Sequence, residues 1–442
     1  MKKVFAVCLA LCTVLFCALP CAAAYHPTFE VSAKAGILVS LDTGVVLYEK
    51  NIDEKMYPAS LTKIMTAVLM LESPLYDAAA KVAMRAEVDP YITGTGSAVS
   101  SLKVGEEITH LDLLHYLLVS SAGDCAYLAA MTFAETVEQF VENMNAKAQE
   151  LGLSGTHYGN PVGLHDEATY TTVRDVYTLA KYALQFDDFK ETCGQKRYTV
   201  AATNMGPART LSTTNFLIDN NTNYYYAYAT GLKTGFTDEA GRCLVSTASY
   251  DGYNYLAVLM DCPNGGTRRE FVDSADLYRW AFKTFRFAEV ADTQNPVTEM
   301  PVRLAADTDF VPVYVEKTFV TVLPKDADMS TVRVVPNLTA ESVDAPVKKG
   351  QNLGTADFYY AEQKIGSSPL VAGANVKRST WLYLWDRVKA FLASKAMKLV
   401  YLGLAAAVVL FIAVVCWMNR GRTKKRKVRY IPYKEDEENE SK

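Results

Sequence analysis

Pro58-Ala59-Ser60-Leu61-Thr62-Lys63-Ile64-Met65-Thr66-Ala67 is the stretch on which the fold turns. Tyr57-Pro58-Ala59 breaks the chain, and over residues 60–72 apolar side chains recur at Leu61, Ile64, Met65, Val68, Leu69 and Leu71, the spacing of a helix. A helix starting near Ser60 puts its hydroxyl three residues before the Lys63 amine, on one face, with Cβ atoms about 5–6 Å apart. A serine hydroxyl is a weak nucleophile and needs a base within hydrogen-bond reach. Lysine is such a base only when neutral, and moving its pKa from about 10.4 to near 7 takes roughly 4–5 kcal/mol. Burial and a second nearby cation are the two forces able to do it. Alone the spacing says little, since Ser and Lys three apart arise by chance about once in a chain this long. The bland reading is a capped helix with a solvated lysine.

Working outward, Gly36-Ile37-Leu38-Val39-Ser40, the turn Asp42-Thr43-Gly44 and Val45-Val46-Leu47-Tyr48 read as a β-hairpin. Residues 111–151 read as mostly helical, opened by a cap at Thr109 with Asp112 three residues on and interrupted at Ser120-Ser121-Ala122-Gly123. A second helical pattern covers 171–184. After a Tyr-rich loop at 220–228, strands are expected at 242–249 and 253–260, joined by Asp251-Gly252, and a helix at 270–285. Strands, then helices, then strands and a helix imply a sheet built from both ends of the domain with a helical insertion between. Beyond about residue 290 the alternation Val311, Val313, Val315 and Val320, Val322, punctuated by prolines, predicts a small β domain.

The ends set the compartment. Residues 1–24 carry Lys2 and Lys3, a short apolar run and Ala22-Ala23-Ala24, the three parts of an export signal. Residues 399–418 hold no charge and are long enough to cross a hydrocarbon core of roughly 30 Å, and Arg420, Arg422, Lys424, Lys425, Arg426, Lys427 and Arg429 follow on what becomes the cytoplasmic side. Of 45 basic residues 2 lie in the leader and 9 after the span, and of 49 acidic ones 5 follow it, leaving 34 against 44 outside. An exported region of that sign is a poor nucleic-acid binder. Cys125, Cys193, Cys243 and Cys262 remain outside the leader and span, with three pairings open and free buried thiols as the alternative.

Two elements give the Ser60/Lys63 pair meaning. Lys233-Thr234-Gly235 precedes a strand-like segment, where a lysine and a hydroxyl face an anionic substrate and glycine admits its backbone. Chance supplies that tripeptide roughly once in ten chains of this length. Ser121 lies on the helix-breaking loop with Ala122, Gly123 and Asp124.

With these residues the chain resembles the penicillin-binding protein and serine β-lactamase superfamily, and within it the low-molecular-weight D-alanyl-D-alanine carboxypeptidases. The likeness extends through Gly96-Ser97, Gly105-Glu106, Met144-Asn145, Asn160-Pro161-Val162-Gly163-Leu164, Tyr170-Thr171-Thr172, Asp273-Ser274 and residues 277–280, so it spans most of 28–290. It implies an α/β (α+β) penicillin-binding domain with a helical insertion at 25–290, a small all-β domain at 291–375 and a membrane-proximal linker at 376–398. A single transmembrane helix at 399–418 and a cytoplasmic tail at 419–442 complete the layout. Carried over by position, Ser60 forms the acyl-enzyme, Lys63 takes its proton, and Ser121 relays a proton to the leaving D-alanine. Lys233 holds Ser121 and lowers the pKa of Lys63. Thr234, with Arg268 or Arg269, binds the terminal carboxylate beside Gly235, although Glu270 stands where a basic residue is expected. The N–H groups of Ser60 and Phe236 form an oxyanion hole, in which losing one donor typically costs about 2.7–4 kcal/mol.

The expected substrate is a peptidoglycan stem peptide ending in D-Ala-D-Ala. β-Lactams are the expected covalent inhibitors, no metal or organic cofactor is implied, and the expected location is the cell membrane with the catalytic domain outside. Two departures from the family pattern stand out: Gly123 replaces the asparagine of Ser-x-Asn, and Thr169 replaces a histidine common before Tyr-Thr-Thr. The first keeps open a weak or inactive wall-peptide-binding protein. A serine β-lactamase would need a water-activating carboxylate, for which Glu167 is the suggestive residue in the central region. His26, His110, His115, His157 and His165 form no His-Glu-x-x-His zinc pattern, and no Gly-x-Ser-x-Gly elbow is present.

Overall fold

The computed structural model describes residues 27–422. The expected leader at 1–24 and the tail from 423 onward lie outside the described residues. The described residues form two compact units: 27–292 with 317–335 and 356–368, and 293–316 with 336–355 and 369–422.

In the first unit, β1 (Ala35–Ser40) and β2 (Val46–Lys50) make the expected hairpin. β3 (Ala229–Thr237), β4 (Gly241–Tyr250) and β5 (Tyr253–Cys262) complete an antiparallel sheet of order β2-β1-β5-β4-β3. β1 is buried along its whole length, which its apolar run anticipates for a strand covered on both faces. Because successive side chains alternate, Ile37 and Val39 enter one core and Leu38 the other. The first core is filled by the helical insertion: α1 (Lys63–Glu72), α2 (His110–Leu118), α3 (Gly123–Phe133), α4 (Val137–Glu150) and α5 (Val173–Ala183). The second is covered by α6 (Arg269–Thr284), through Phe271, Leu277, Tyr278 and Ala281.

α1 is apolar nearly all round and therefore central, with Ile64, Met65, Ala67, Val68 and Met70 out of solvent. The four larger side chains contribute about 1.5–3 kcal/mol each by burial, which fixes the position of the helix and of the lysine at its head. The Thr109 cap is a full capping box with Asp112. The chain break at 120–122 separates α2 from α3 as expected. Lys233-Thr234-Gly235 differs from expectation: it lies within β3, not ahead of it. A buried lysine and five glycines or threonines gave the strand no apolar alternation to read.

Phe285–Ala291 pairs antiparallel with Phe319–Pro324, burying Ala288 and Leu323. In the second unit Thr298–Arg303 pairs with Phe310–Val315, and Val311, Val313 and Val315 are buried as their alternation requires. Its last helices are Thr380–Leu392 and Lys395–Arg422. The stretch Lys395–Arg420 is long and apolar enough to cross a membrane by length and composition. Cys125, Cys193, Cys243 and Cys262 are buried free thiols.

Candidate active site

Ser60 sits in the 3-10 turn Ala59–Thr62 that runs into α1. Ala59, just before it, has a left-handed backbone (φ 46°), as does Ser121 (φ 60°). Such conformations cost about 1–3 kcal/mol in residues with a Cβ and persist where the surroundings hold them. Both serines point into an open cleft of about 690 Å³ whose walls also include Ser97, Thr214, Thr234, Gly235, Phe236 and Arg268.

Lys63 lies beneath Ser60, with no exposed surface, and its Nζ donates to Ser60 Oγ at 2.9 Å and to the Val162 carbonyl at 2.9 Å. Burial, and then the charge of Lys233, hold the Lys63 pKa well below that of a free lysine; Asp124 and Cys125 oppose this. Lys233 is equally buried and donates to Ser121 Oγ at 2.8 Å and to the Thr234 carbonyl at 2.9 Å; burial pushes its pKa down to about 7. Two serine–lysine pairs drawn from the turn at 60, the loop at 121 and strand β3 thus share one site.

β3 is an edge strand, so one of its sides is free to pair with an extended peptide. Gly235 packs against the Ser60 turn so closely that a Cβ would stand 3.3 Å from Ser60 N and 3.1 Å from Pro58 O. Thr234 Oγ1 hydrogen-bonds Thr214 Oγ1 at 2.6 Å. At that end of the cleft the Arg268 guanidinium packs beside the stacked rings of Phe216 and Phe271, 5.0 and 4.8 Å from their centroids. Arg269, its neighbour, is exposed and lies outside the cleft lining.

The third wall is the segment at 160–164. Asn160 Oδ1 accepts from the N–H groups of Val162, Gly163 and Leu164, and Thr66 Oγ1 donates to the Pro161 carbonyl. The fold thereby aims the Val162 carbonyl at Lys63. Gly163 adopts φ +85°, and a Cβ there would lie 1.8 Å from the Ala59 carbonyl oxygen, so only glycine fits beside the nucleophile turn.

Gly123 also has a steric reason: a Cβ would stand 2.2 Å from Ser97 Oγ and 2.8 Å from Ile92 Cδ1. The Gly123 N–H donates to the Ala98 carbonyl at 2.7 Å, and Asp124 clasps Ser100 through its backbone and hydroxyl. The loop at 95–100 therefore lies in the space a third-position side chain would use, with Ser97 lining the cleft in its place. Glu167 is outside the cleft lining and faces a separate depression of about 300 Å³ with Lys34 and Lys55. Thr169 is buried and accepts from the Gly159 N–H at 2.9 Å.

Sequence reasoning did not assign site roles to Val162, Ser97, Thr214 or Glu270. The carbonyl of Val162 was signalled by the turn-forming Asn160-Pro161-Val162-Gly163, whereas Ser97 and Thr214 are ordinary loop residues without a local signature.

Residues 21–264 match the D-alanyl-D-alanine carboxypeptidase family, and residues 289–378 match the C-terminal domain of penicillin-binding protein 5. The chain is 28% identical over 355 residues to D-alanyl-D-alanine carboxypeptidase DacF of Bacillus subtilis, covering 80% of this chain and 88% of that protein. It is 30% identical over 389 residues to D-alanyl-D-alanine carboxypeptidase DacC of Escherichia coli, covering 85% and 92%. Among solved structures it is similar in fold to penicillin-binding protein 5 from Haemophilus influenzae, with TM-score 0.66, 24% identity and coverage of 79% of this chain and 99% of that one. A mutant of the Streptomyces K15 DD-transpeptidase gives TM-score 0.54 at 28% identity, covering 58% and 99%.

Proposed function

This chain belongs to the D-alanyl-D-alanine carboxypeptidase family and is a hydrolase of that kind; from that premise we propose that Ser60 is its acylated nucleophile and Lys63 the base that activates it. The observation that carries this reading is the buried Lys63 amine within 2.9 Å of Ser60 Oγ, with its pKa driven down by burial and by Lys233. A neutral amine accepts the hydroxyl proton as the oxygen attacks the carbonyl between the two D-alanines. The amine's contact with the Val162 carbonyl keeps it oriented through that transfer.

The N–H groups of Ser60 and Phe236 are assigned as the oxyanion hole, and preorganised donors of that kind interact more strongly in the transition state, where the carbonyl oxygen gains charge. Ser121, paired with Lys233, passes a proton to the departing D-alanine nitrogen, and water then cleaves the Ser60 ester with Lys63 as base. Thr234, with Thr214 behind it, and Arg268 form the cationic and hydroxyl-bearing end of the cleft that takes the free terminal carboxylate. An internal peptide bond lacks that carboxylate, which makes the terminal residue the one removed. The position of Glu167 outside the cleft favours this reading over a β-lactamase.

The apolar helix at Lys395–Arg420 is proposed to anchor the chain in the membrane, and the exposed Trp381, Trp385 and Phe391 of Thr380–Leu392 suit the interface beside it. The proposed boundaries remain 25–290, 291–375 and 399–418, with export directed by the leader at 1–24. Peptide mapping after reaction with benzylpenicillin tests the nucleophile: the adduct is expected on Ser60, and an adduct on any other residue refutes the assignment.

A further inference from the structure

α6 opens with Arg268-Arg269-Glu270, and Glu270 is 1% exposed although it is charged. Its Oε1 accepts from Arg268 Nε at 2.5 Å and stands 3.9 Å from an Arg242 Nη. Its Oε2 is buried and, among the described residues, meets no donor; the Nε of Arg242 is likewise buried without an acceptor. Arg242 in turn stacks on Phe236, 4.9 Å from the ring centroid, and is its cross-strand partner. A carboxylate in the first turn of a helix ordinarily serves the helix dipole, and it does so while solvated. Burial with an unsatisfied oxygen costs stability, so the dipole does not account for this placement.

The two arginines and the glutamate together carry one net positive charge, and of the three Arg268 lines the cleft with Thr234 and Thr214. Glu270 takes the Nε edge of Arg268, the guanidinium packs beside the stacked rings of Phe216 and Phe271, and the backbone N–H of Arg268 donates to Tyr224 Oη at 3.1 Å. The Nη groups are thereby left for a ligand, in the planar fork geometry that suits a carboxylate.

We propose that Glu270 is a positioning residue of the carboxylate subsite: it fixes the Arg268 fork toward the cleft, while Arg242 balances its charge and ties the subsite to β3 at Phe236. This deepens the proposed function and rests on the Ser60 cleft being the substrate site. It departs from a simple basic residue at position 270, placing the cation two residues earlier and holding it by an internal anion.

The test compares acylation of the full chain by benzylpenicillin and by its methyl ester, which lacks the carboxylate. Glu270→Gln is expected to slow the free acid by about tenfold or more, the worth of one charge-assisted hydrogen bond, and to leave the ester rate within about twofold. Arg268→Gln should show the same selective loss, and the double variant should be no worse than Arg268→Gln alone, because the two act through one contact. Glu270→Asp, which keeps the charge but withdraws it by one methylene, should give an intermediate acid-to-ester ratio and serves where Glu270→Gln fails to fold. Wild-type acylation with an unchanged ratio in both Glu270 variants, or equal loss for acid and ester, overturns the inference alone. No wild-type acylation by either probe overturns the Ser60 reading and this inference with it.

Discussion

The Nζ of Lys233 lies 2.8 Å from the Ser121 hydroxyl although 112 residues separate them in the chain. Strand β3 and the break between α2 and α3 meet there, and the Lys233 charge is the second cause lowering the pKa of Lys63. Each lysine thus holds a serine, and the charge of Lys233 bears on the protonation of Lys63 through a medium that excludes water.

Activity should follow a bell-shaped pH profile. Lys63 must be neutral, so kcat/KM rises as it loses its proton; Lys233 must be charged to face an anion, so kcat/KM falls as pH passes its pKa of about 7 in the free enzyme. A bound carboxylate favours the charged lysine and raises its pKa. The alkaline limb of kcat should therefore lie at higher pH than that of kcat/KM. Coincident limbs would count against this placement of Lys233.

Lys233→Met should stabilise the fold while abolishing turnover. A lysine whose folded pKa is depressed lets the unfolded state bind more protons between about 7 and 10.5, so its contribution to stability is unfavourable below about 7 and improves as pH rises through that window. The full penalty is on the order of 5 kcal/mol. The melting-temperature gain of the variant over wild type should be largest near pH 7 and shrink toward pH 10; a gain that is absent or grows with pH would refute it. Taking the difference cancels groups that do not interact with Lys233, such as the buried Tyr255, whose pKa burial raises.

Gly123→Asn should not improve the enzyme. The added Cβ meets Ser97 and Ile92, and overpacking of this kind typically costs about 1–3 kcal/mol. Combining it with Ser97→Gly removes the nearest obstruction and should recover both melting temperature and acylation rate relative to Gly123→Asn alone. Equal or better activity in the single variant would show that the loop at 95–100 yields freely.

Gly163→Ala should damage acylation more than a surface loop change would. Its φ of +85° and the 1.8 Å approach to Ala59 O mean that either the turn bearing Ser60 or the segment aiming Val162 at Lys63 must move. Destabilisation of more than about 2 kcal/mol is expected, with a loss of acylation rate at temperatures where the variant stays folded. Wild-type kinetics would contradict the packing role given to this glycine.

The hairpin at 35–50, the buried helix after Ser60, the Thr109 cap and the strands of 241–262 were legible because each has a local signature: alternation, helical spacing, a capping box or a turn dipeptide. Ser60, Lys63, Ser121 and Lys233 were legible as motifs, and the structure brings all four side chains together. Strand β3 was not read as a strand, and Lys233-Thr234-Gly235 was placed ahead of one, because its central residues are buried around the lysine and carry no apolar alternation. Roles for Ser97 and Glu270 were hidden for a different reason. A loop serine and a glutamate in the first turn of a helix are ordinary in any sequence, and only the three-dimensional neighbours, Gly123 for one and Arg268 for the other, give them meaning.

D-Alanine release from diacetyl-L-lysyl-D-alanyl-D-alanine, measured for wild type beside Ser60→Ala and Lys63→Ala, tests the central claim most directly. Wild type should release D-alanine with turnover, Lys63→Ala should be slower by about 10²–10⁴-fold as expected for loss of a general base, and Ser60→Ala should release none above background. Release by wild type no faster than by Ser60→Ala would contradict it.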